Sequence, residues 1–337
     1  MKKSLLLLFI CTACGGSDSE QPGTNPPIGD LVGDPGGGVT FLVDGVIFRL
    51  DASNPLDIVN VTDRLDSLSP VGSPDDESPA VSRNGLWTTI TTNRFGCEDD
   101  CLVVLNQDIS VGERVLIGGA NQVQPDDRAA ISNSGNLIVF SEESSSPDRE
   151  VDLFAITRQG NTWSTPIVLT GGSTETYNLL PVLSPDSQRV LFDCGDDPFS
   201  QGGTSICSVA VNGTGFVKEI DSVNNPLNFS GEFLAHHGDY FADGTIAFEA
   251  DWDDGGEQIW VLRPGAATPT VVAPQFSNDN TSCVLPGGYI ASLWLQRDAG
   301  NGDHELKVMA PDASEFSVVT PFVDIEDVGM SCHEIVQ

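Results

Sequence analysis

Short apolar runs rich in Val, Ile, Leu, Thr and Phe recur along nearly the whole chain, separated by clusters of Gly, Pro, Asn, Asp and Ser. That punctuation marks β-strands and turns. No window holds the sustained 3.6-residue spacing of an amphipathic helix. The runs follow a fixed order. A tight turn comes first: "SRNG", "SNSG", "SPDS", "FADG" or "LPGG", ending at Gly85, Gly135, Ser187, Gly244 and Gly288. A strand follows each turn: "LWTTITT", "NLIVFSE", "QRVLFDC", "TIAFEAD" and "YIASLWL". After a polar connection comes a second strand, such as "CLVVLNQD" or "QIWVLRPGA", and then a last one, such as "RVLIGG", "PIVLTGG" or "FVKEID". The turns lie 44 to 57 residues apart, close to the roughly 40–50 residues of one four-stranded propeller blade.

The N-terminal unit lacks its first strand. "VTFLV" reads as a second strand, Asp44-Gly45 as a two-residue hairpin turn, "VIFRLDASN" as a third strand and "LDIVNVT" as a fourth. The missing piece is at the other end of the chain, where "VGMSCHEIVQ" reads as a strand without partners. Ser331 precedes the final residue by the same interval that separates Ser282 from Gly288. The expected fold is all-β: a six-bladed β-propeller of four-stranded antiparallel blades. The C-terminal strand pairs with the N-terminal blade, closing the ring and removing a free sheet edge.

"SPDSQRVLF", "FADGTIAFEADWDDGGEQIWVLRPGA" and "LQRDAGNGDHELKVMAPDAS" resemble the repeat of TolB-like, WD-repeat-like propellers. That repeat has a Ser-Pro-Asp-Gly turn, an Ile-x-Phe strand, an Asp-rich hairpin and an Ile-Tyr-Val-Met strand. The resemblance covers residues 39–337. It departs from the family where Ser187 replaces the turn glycine and where Leu102-Val103-Val104 lacks the aromatic. The α/β domain that precedes the propeller in TolB is absent, which argues against a translocation role. The resemblance implies architecture rather than activity.

Charge and the first residues change the setting. The 337 residues include 15 Lys or Arg against 49 Asp or Glu, a formal charge of −34. Nucleic acid is excluded as a partner, since it requires clustered cations. Residues 1–13, "MKKSLLLLFICTA", form a basic and apolar leader. With "CGGS" after them they resemble a bacterial lipoprotein signal, which implies cleavage before Cys14 and lipidation of that cysteine. An ordinary secretory signal cleaved nearby is the alternative. The absence of Asp after Cys14 implies the outer membrane if the cell is Gram-negative. Residues 14–38 are dominated by Gly, Pro, Ser and Asp and read as a flexible tether. Residues 39–337 are the propeller. The membrane is then reached through lipidated Cys14 alone, and a monomer is expected.

An exported domain favours disulfides. Cys97 and Cys101 flank one hairpin, and Cys194 and Cys207 another. Cys283 and Cys332 stand in the matching strings "TSC" and "MSC", one repeat apart. A bridge there would lock the closing strand to the preceding blade. Six cysteines allow about 15 pairings, so spacing leaves connectivity open.

Catalytic signatures are missing. There is no G-x-S-x-G elbow, no dinucleotide loop and no phosphate-binding lysine loop. One constellation remains: Glu77, Arg128, His236, His237, His333 and Glu334 fall on or beside inner strands and are candidates to line the central channel. Adjacent histidines on a regular strand face opposite ways, so at most one of His236 and His237 would face it. The acidic hairpins "CEDDC", "DCGDDPFSQGG", "ADWDDGG" and "RDAGNGDHE" offer oxygen ligands for Ca²⁺, but none has the spacing of a calcium loop. The channel constellation also has metal-binding or acid/base capacity, and no other cofactor is implied. Two functions are carried forward. The first is a lipid-anchored envelope module that binds or scaffolds an unidentified protein. The second is a glycan-active or glycan-binding propeller with a His/carboxylate site, with or without a metal, at the channel mouth.

Overall fold

The computed structural model describes residues 34–196, 204–221, 235–250, 252, 257–272, 279–295, 304–312, 316–318, 325 and 330–335. The leader and most of the tether, Cys14 included, lie outside the described residues. The chain begins with β1 (Gly38–Val43), β2 (Val46–Asp51), β3 (Asn54–Asn60) and α1 (Val61–Leu68). Next come β4 (Asp76–Val81), β5 (Trp87–Thr92), β6 (Cys101–Asn106), β7 (Gly112–Arg114), β8 (Leu116–Ile117) and β9 (Asn121–Gln122). They are followed by β10 (Ala130–Ile131), β11 (Leu137–Glu143), β12 (Val151–Gln159), β13 (Thr162–Trp163) and β14 (Ile167–Val168). The second half holds β15 (Tyr177–Leu183), β16 (Arg189–Gly195), β17 (Thr204–Ala210), β18 (Val217–Ile220), β19 (Ala235–Tyr240), β20 (Ile246–Ala250), β21 (Gln258–Leu262) and β22 (Thr270–Val271). Last are β23 (Asp279–Val284), β24 (Ile290–Leu295), β25 (His304–Met309), β26 (Phe316–Val318) and β27 (Ser331–His333).

Among the described residues these strands form a β-propeller. The first sheet has the order β27-β1-β2-β3, so the C-terminal strand supplies the inner position of the N-terminal sheet, as the pattern predicts. Val39 pairs with Cys332 and Thr40 with Ser331. The second (β4–β7), fourth (β15–β18), fifth (β19–β22) and sixth (β23–β26) sheets are simple four-stranded antiparallel meanders. The third is larger. Its β10-β11-β12-β14 part matches the others, but β13, β8 and β9 extend it to seven strands. The inner strands β27, β4, β10, β15, β19 and β23 touch one another in that cyclic order.

The nearly continuous apolar strands now have a cause. Each sheet is covered on both faces by its neighbours, so successive side chains enter different cores. Ile138 and Phe140 of β11 pack against Leu102 and Val104 of the second sheet. Val139, between them, packs with Val190 and Phe192 of the fourth. Leu191 turns the other way, toward Phe248 and Trp260 of the fifth.

All five repeat turns close with a bond from the N–H of the last residue to the carbonyl of the first, 2.7–3.0 Å long. In each, the last residue is left-handed: φ is +72° at Gly85, +68° at Gly135, +55° at Ser187, +85° at Gly244 and +81° at Gly288. Glycine is favoured there because an L side chain crowds the backbone in that conformation. Asp44 and Gly45 both have positive φ, as their hairpin turn requires.

Three features depart from expectation. α1 is a helix where none was expected, and it takes over the end of "LDIVNVT". It has one buried aliphatic pair, Val61 and Leu65, and is capped by Asn60, whose side chain accepts from Asp63 N. Eight residues are too few to display a helical period. "RVLIGG" is not one strand: β7 ends at Arg114, and β8 joins the third sheet through Ile117 and Trp163. Finally, residues 34–37, assigned to the tether, meet the body of the propeller. Gly287 N donates to Pro35 O at 3.0 Å, and Ala52 N donates to Gly37 O at 3.0 Å.

The three expected disulfides form: Cys97–Cys101, Cys194–Cys207 and Cys283–Cys332. The third joins β23 to β27, tying the closing strand to the sheet before it.

Candidate functional site

The inner strands enclose a central cavity of about 600 Å³, to which all six contribute. Its two ends differ. At the end where the inner strands begin, four of them lose register. The shifts fall between Glu77 and Ala80, Leu179 and Val182, His236 and Asp239, and Asn280 and Ser282. Ser78, Leu180 and His237 have φ of +49°, +54° and +51° at these bulges. The bulged N–H groups turn away from the ladder and meet carboxylates of the preceding sheet. Leu180 N donates to Asp127 Oδ2 at 2.6 Å, and His237 N donates to both oxygens of Asp193, at 3.1 and 3.2 Å.

The bulge explains why the alternation rule fails at the two histidines. Their rings are 6.0 Å apart rather than on opposite faces. His237 Nδ1 is 2.8 Å from Glu249 Oε1, and His236 Nδ1 is 3.5 Å from Asp193 Oδ2. Burial alone would lower the His237 pKa, but the charge of Glu249, its hydrogen bond and Asp193 outweigh burial and raise it to about 9. The acidic neighbours therefore favour the protonated ring at neutral pH. Arg128, near enough to oppose that charge, is 6% exposed and donates Nη1 to Met330 O at 3.0 Å.

Beside this cluster a cleft of about 1720 Å³ opens to solvent. Glu77, Asp126, Asp127, Glu143 and Glu150 line it, with Arg128 and Arg149. Burial pushes the Asp127 carboxyl up to about 7. Ser141 lies beside it, yet neither its hydroxyl nor Asp127 Oδ1 makes a bond of normal geometry. Burial and the Glu143 charge also raise Asp126, and burial and Asp126 raise Glu142.

At the opposite end an arginine bridges the channel. Arg83, in the turn after β4, reaches the fifth sheet across the ring. Its Nη2 donates to Asp239 Oδ1 at 2.9 Å and to Tyr240 O at 2.7 Å. Asp239 Oδ2 accepts from Val284 N at 2.7 Å. His333 lies at this end, 2% exposed, with Nε2 3.1 Å from Thr40 Oγ1 and Nδ1 2.9 Å from Glu334 O. Burial and nearby Arg49 lower its pKa to about 3, so it is neutral. Glu334 is exposed, and its N–H donates to Arg83 O at 2.7 Å.

Of the six candidate channel residues, Glu77, Arg128, His236 and His237 therefore gather at one end, while His333 and Glu334 lie at the other. Asp127, Asp193 and Glu249 at the first end, and Arg83 and Asp239 at the second, belong to the polar framework but were not among the candidates. Among the described residues no group of three His, Cys, Asp or Glu side chains has metal-holding geometry. "CEDDC" is described. There burial, Asp75 and Asp99 raise the Asp100 pKa. The other three acidic hairpins lie partly outside the described residues. No described helix is long and apolar enough to cross a membrane.

The fold is that of known propellers. The chain is similar to TolB from Acinetobacter baumannii, with TM-score 0.64 and 12% identity over 90% of this chain and 68% of that one. A putative TolB from Agrobacterium tumefaciens gives 0.58 and 15%, over 87% and 92%. A chain of the nidogen/laminin complex gives 0.59 and 11%, over 88% and 98%. No family model matches the sequence, and no curated protein does.

Proposed function

We propose that this is a six-bladed, TolB-like propeller, held at the cell envelope by lipid on Cys14, that binds a protein partner over the open channel mouth. The third sheet counts as one blade with an appended β13-β8-β9 arm. The observation that carries the binding role is the contrast between the ends. Arg83 bridges the channel at one, while the other presents the acidic cleft beside the bulged strands β4 and β15. Such a rigid, pre-formed concavity suits recognition, since little ordering accompanies binding. His237 holding its proton weighs against histidine base catalysis. The basis for the envelope is the leader sequence and the fold likeness to TolB. The test is affinity capture from cross-linked envelopes, comparing the natural protein with Asp126→Lys/Glu150→Lys. One specific protein captured by the former and lost by the latter is expected; equal capture by both would sink the reading. Labelled fatty acid should enter the protein and fail to enter Cys14→Ser.

A glycan-directed reading rests on Asp127, whose carboxyl titrates near neutrality beside Arg128. The fold likeness to an oligogalacturonate lyase from Vibrio parahaemolyticus, TM-score 0.51 and 12% identity, adds the architecture alone. New reducing ends released from envelope polysaccharide, and abolished by Asp127→Asn, would favour it over protein binding.

A further inference from the structure

Acids outnumber bases 49 to 15 in this chain, yet two neighbouring arginines lack an acidic partner. Arg49 and Arg64 are both in that state: among the described residues neither forms an ion pair. Arg49, on β2, donates Nη1 to Gln107 O at 3.1 Å and Nη2 to Thr88 Oγ1 at 3.0 Å. Its Nε–H is buried without an acceptor. Arg64, exposed on α1, donates Nη1 to Asp108 O at 3.3 Å. Every acceptor is neutral, and the two guanidinium groups act on each other. Burial, then repulsion by Arg64, lowers the Arg49 pKa to about 10.

Two like charges held together, one of them mostly out of water, lack the counter-charge that normally offsets desolvation. They also flank a groove of about 700 Å³, open to solvent. Val59 and Ile335 give it an apolar wall; His333 adds a neutral ring; Asp57, Asp108 and Glu334 line it as well. None of these acids pairs with either arginine. Guanidinium groups bind oxyanions through charge-assisted, often paired hydrogen bonds.

We propose that this groove is a binding site for a small organic carboxylate, whose anionic group sits between Arg49 and Arg64 and whose apolar part lies on Val59 and Ile335. A monovalent anion suits the groove better than a phosphate dianion, because three acidic side chains share its lining. Arg49 has a second duty: its bonds to Gln107 and Thr88 tie the first sheet to the second. Arg64 has one weak backbone contact and is free to take the anion. The site lies at the end of the channel away from the acidic cleft and is independent of what binds there.

The test is titration of the intact protein with benzoate, acetate and inorganic phosphate, following the arginine Nε–H signals by NMR. Saturable millimolar binding of benzoate is expected, with acetate weaker and phosphate weaker still. Arg64→Gln, an exposed change, should keep the melting temperature and weaken benzoate by about tenfold. Arg49→Lys should weaken it too, and if that variant melts early, Arg64→Gln alone decides. No saturable benzoate response, or an unchanged one in Arg64→Gln, overturns the site. Tighter binding of phosphate than of benzoate overturns the carboxylate assignment.

Discussion

His237 and His333 are the same residue, both largely buried on inner strands, yet they sit on opposite sides of neutrality. At the open end, Glu249 and Asp193 hold His237 charged. At the Arg83 end, burial and then Arg49 favour the neutral form of His333. Burial penalises the charged form in both places, so the difference lies in the sign of the neighbours. The comparison teaches how one repeat can build two chemically different ends. The backbone grammar is shared, and non-repeating charges decide what each end is.

The largest expected effect comes from taking away the charge that holds His237. Glu249→Gln should cost about 3–5 kcal/mol at neutral pH, because it strands a cation in a desolvated site. Denaturant titration reads the loss, and the His237 proton should leave at lower pH by NMR. An unchanged His237 titration would break the comparison. Next in size are the two pH limbs. The His237 pKa is raised from 6.5 to about 9, so its contribution is complete below pH 6.5 and fades as pH climbs to 9. The His333 pKa is lowered from 6.5 to about 3, so its contribution is complete above pH 6.5 and fades as pH falls toward 3. Stability against pH should therefore be a dome. His237→Asn should flatten the alkaline side and His333→Asn the acid side, each by a few kcal/mol; swapped or absent effects would refute the assignment.

A smaller change is expected from Arg83→Ala, about 1–2 kcal/mol, since the pair it breaks is partly exposed. Thermal denaturation should show the lower melting temperature; an unchanged one would mean that the bridge across the channel carries no stability. Smallest is Ser187→Gly. It relieves the one non-glycine among the five left-handed turn positions and should raise stability by about 1 kcal/mol. A loss instead would mean that the Ser187 side chain makes a compensating contact.

The architecture was largely legible because it is periodic. Five turns announce themselves by a residue that must be left-handed, and Ser282 and Ser331 fix the position of the closing strand. The sites were less legible. His236 and His237 were placed by strand alternation, but the bulge overrides it, and a bulge stabilised by Asp193 from another sheet leaves no local trace. Arg83 was hidden in a turn motif whose grammar concerns backbone alone, since its partner is 156 positions away. α1 offered only Asn60 and Asp63 as signals. The extra strands of the third sheet depend on one parallel contact between Trp163 and Ile117, which no pattern within either segment encodes.

β27 also constrains the order of folding. Thr40 meets His333 across 293 positions, and closing so long a loop in a free chain costs about 5 kcal/mol of entropy before any strand contact is gained. Sheets two to six can condense from local hairpins, but the first sheet waits without its inner strand. If Cys332 has already joined Cys283, 49 residues away, the closing strand arrives attached to the sixth sheet. The search then shrinks from the whole chain to a neighbouring strand. An oxidant present during refolding should therefore speed ring closure more than it speeds formation of the hairpins.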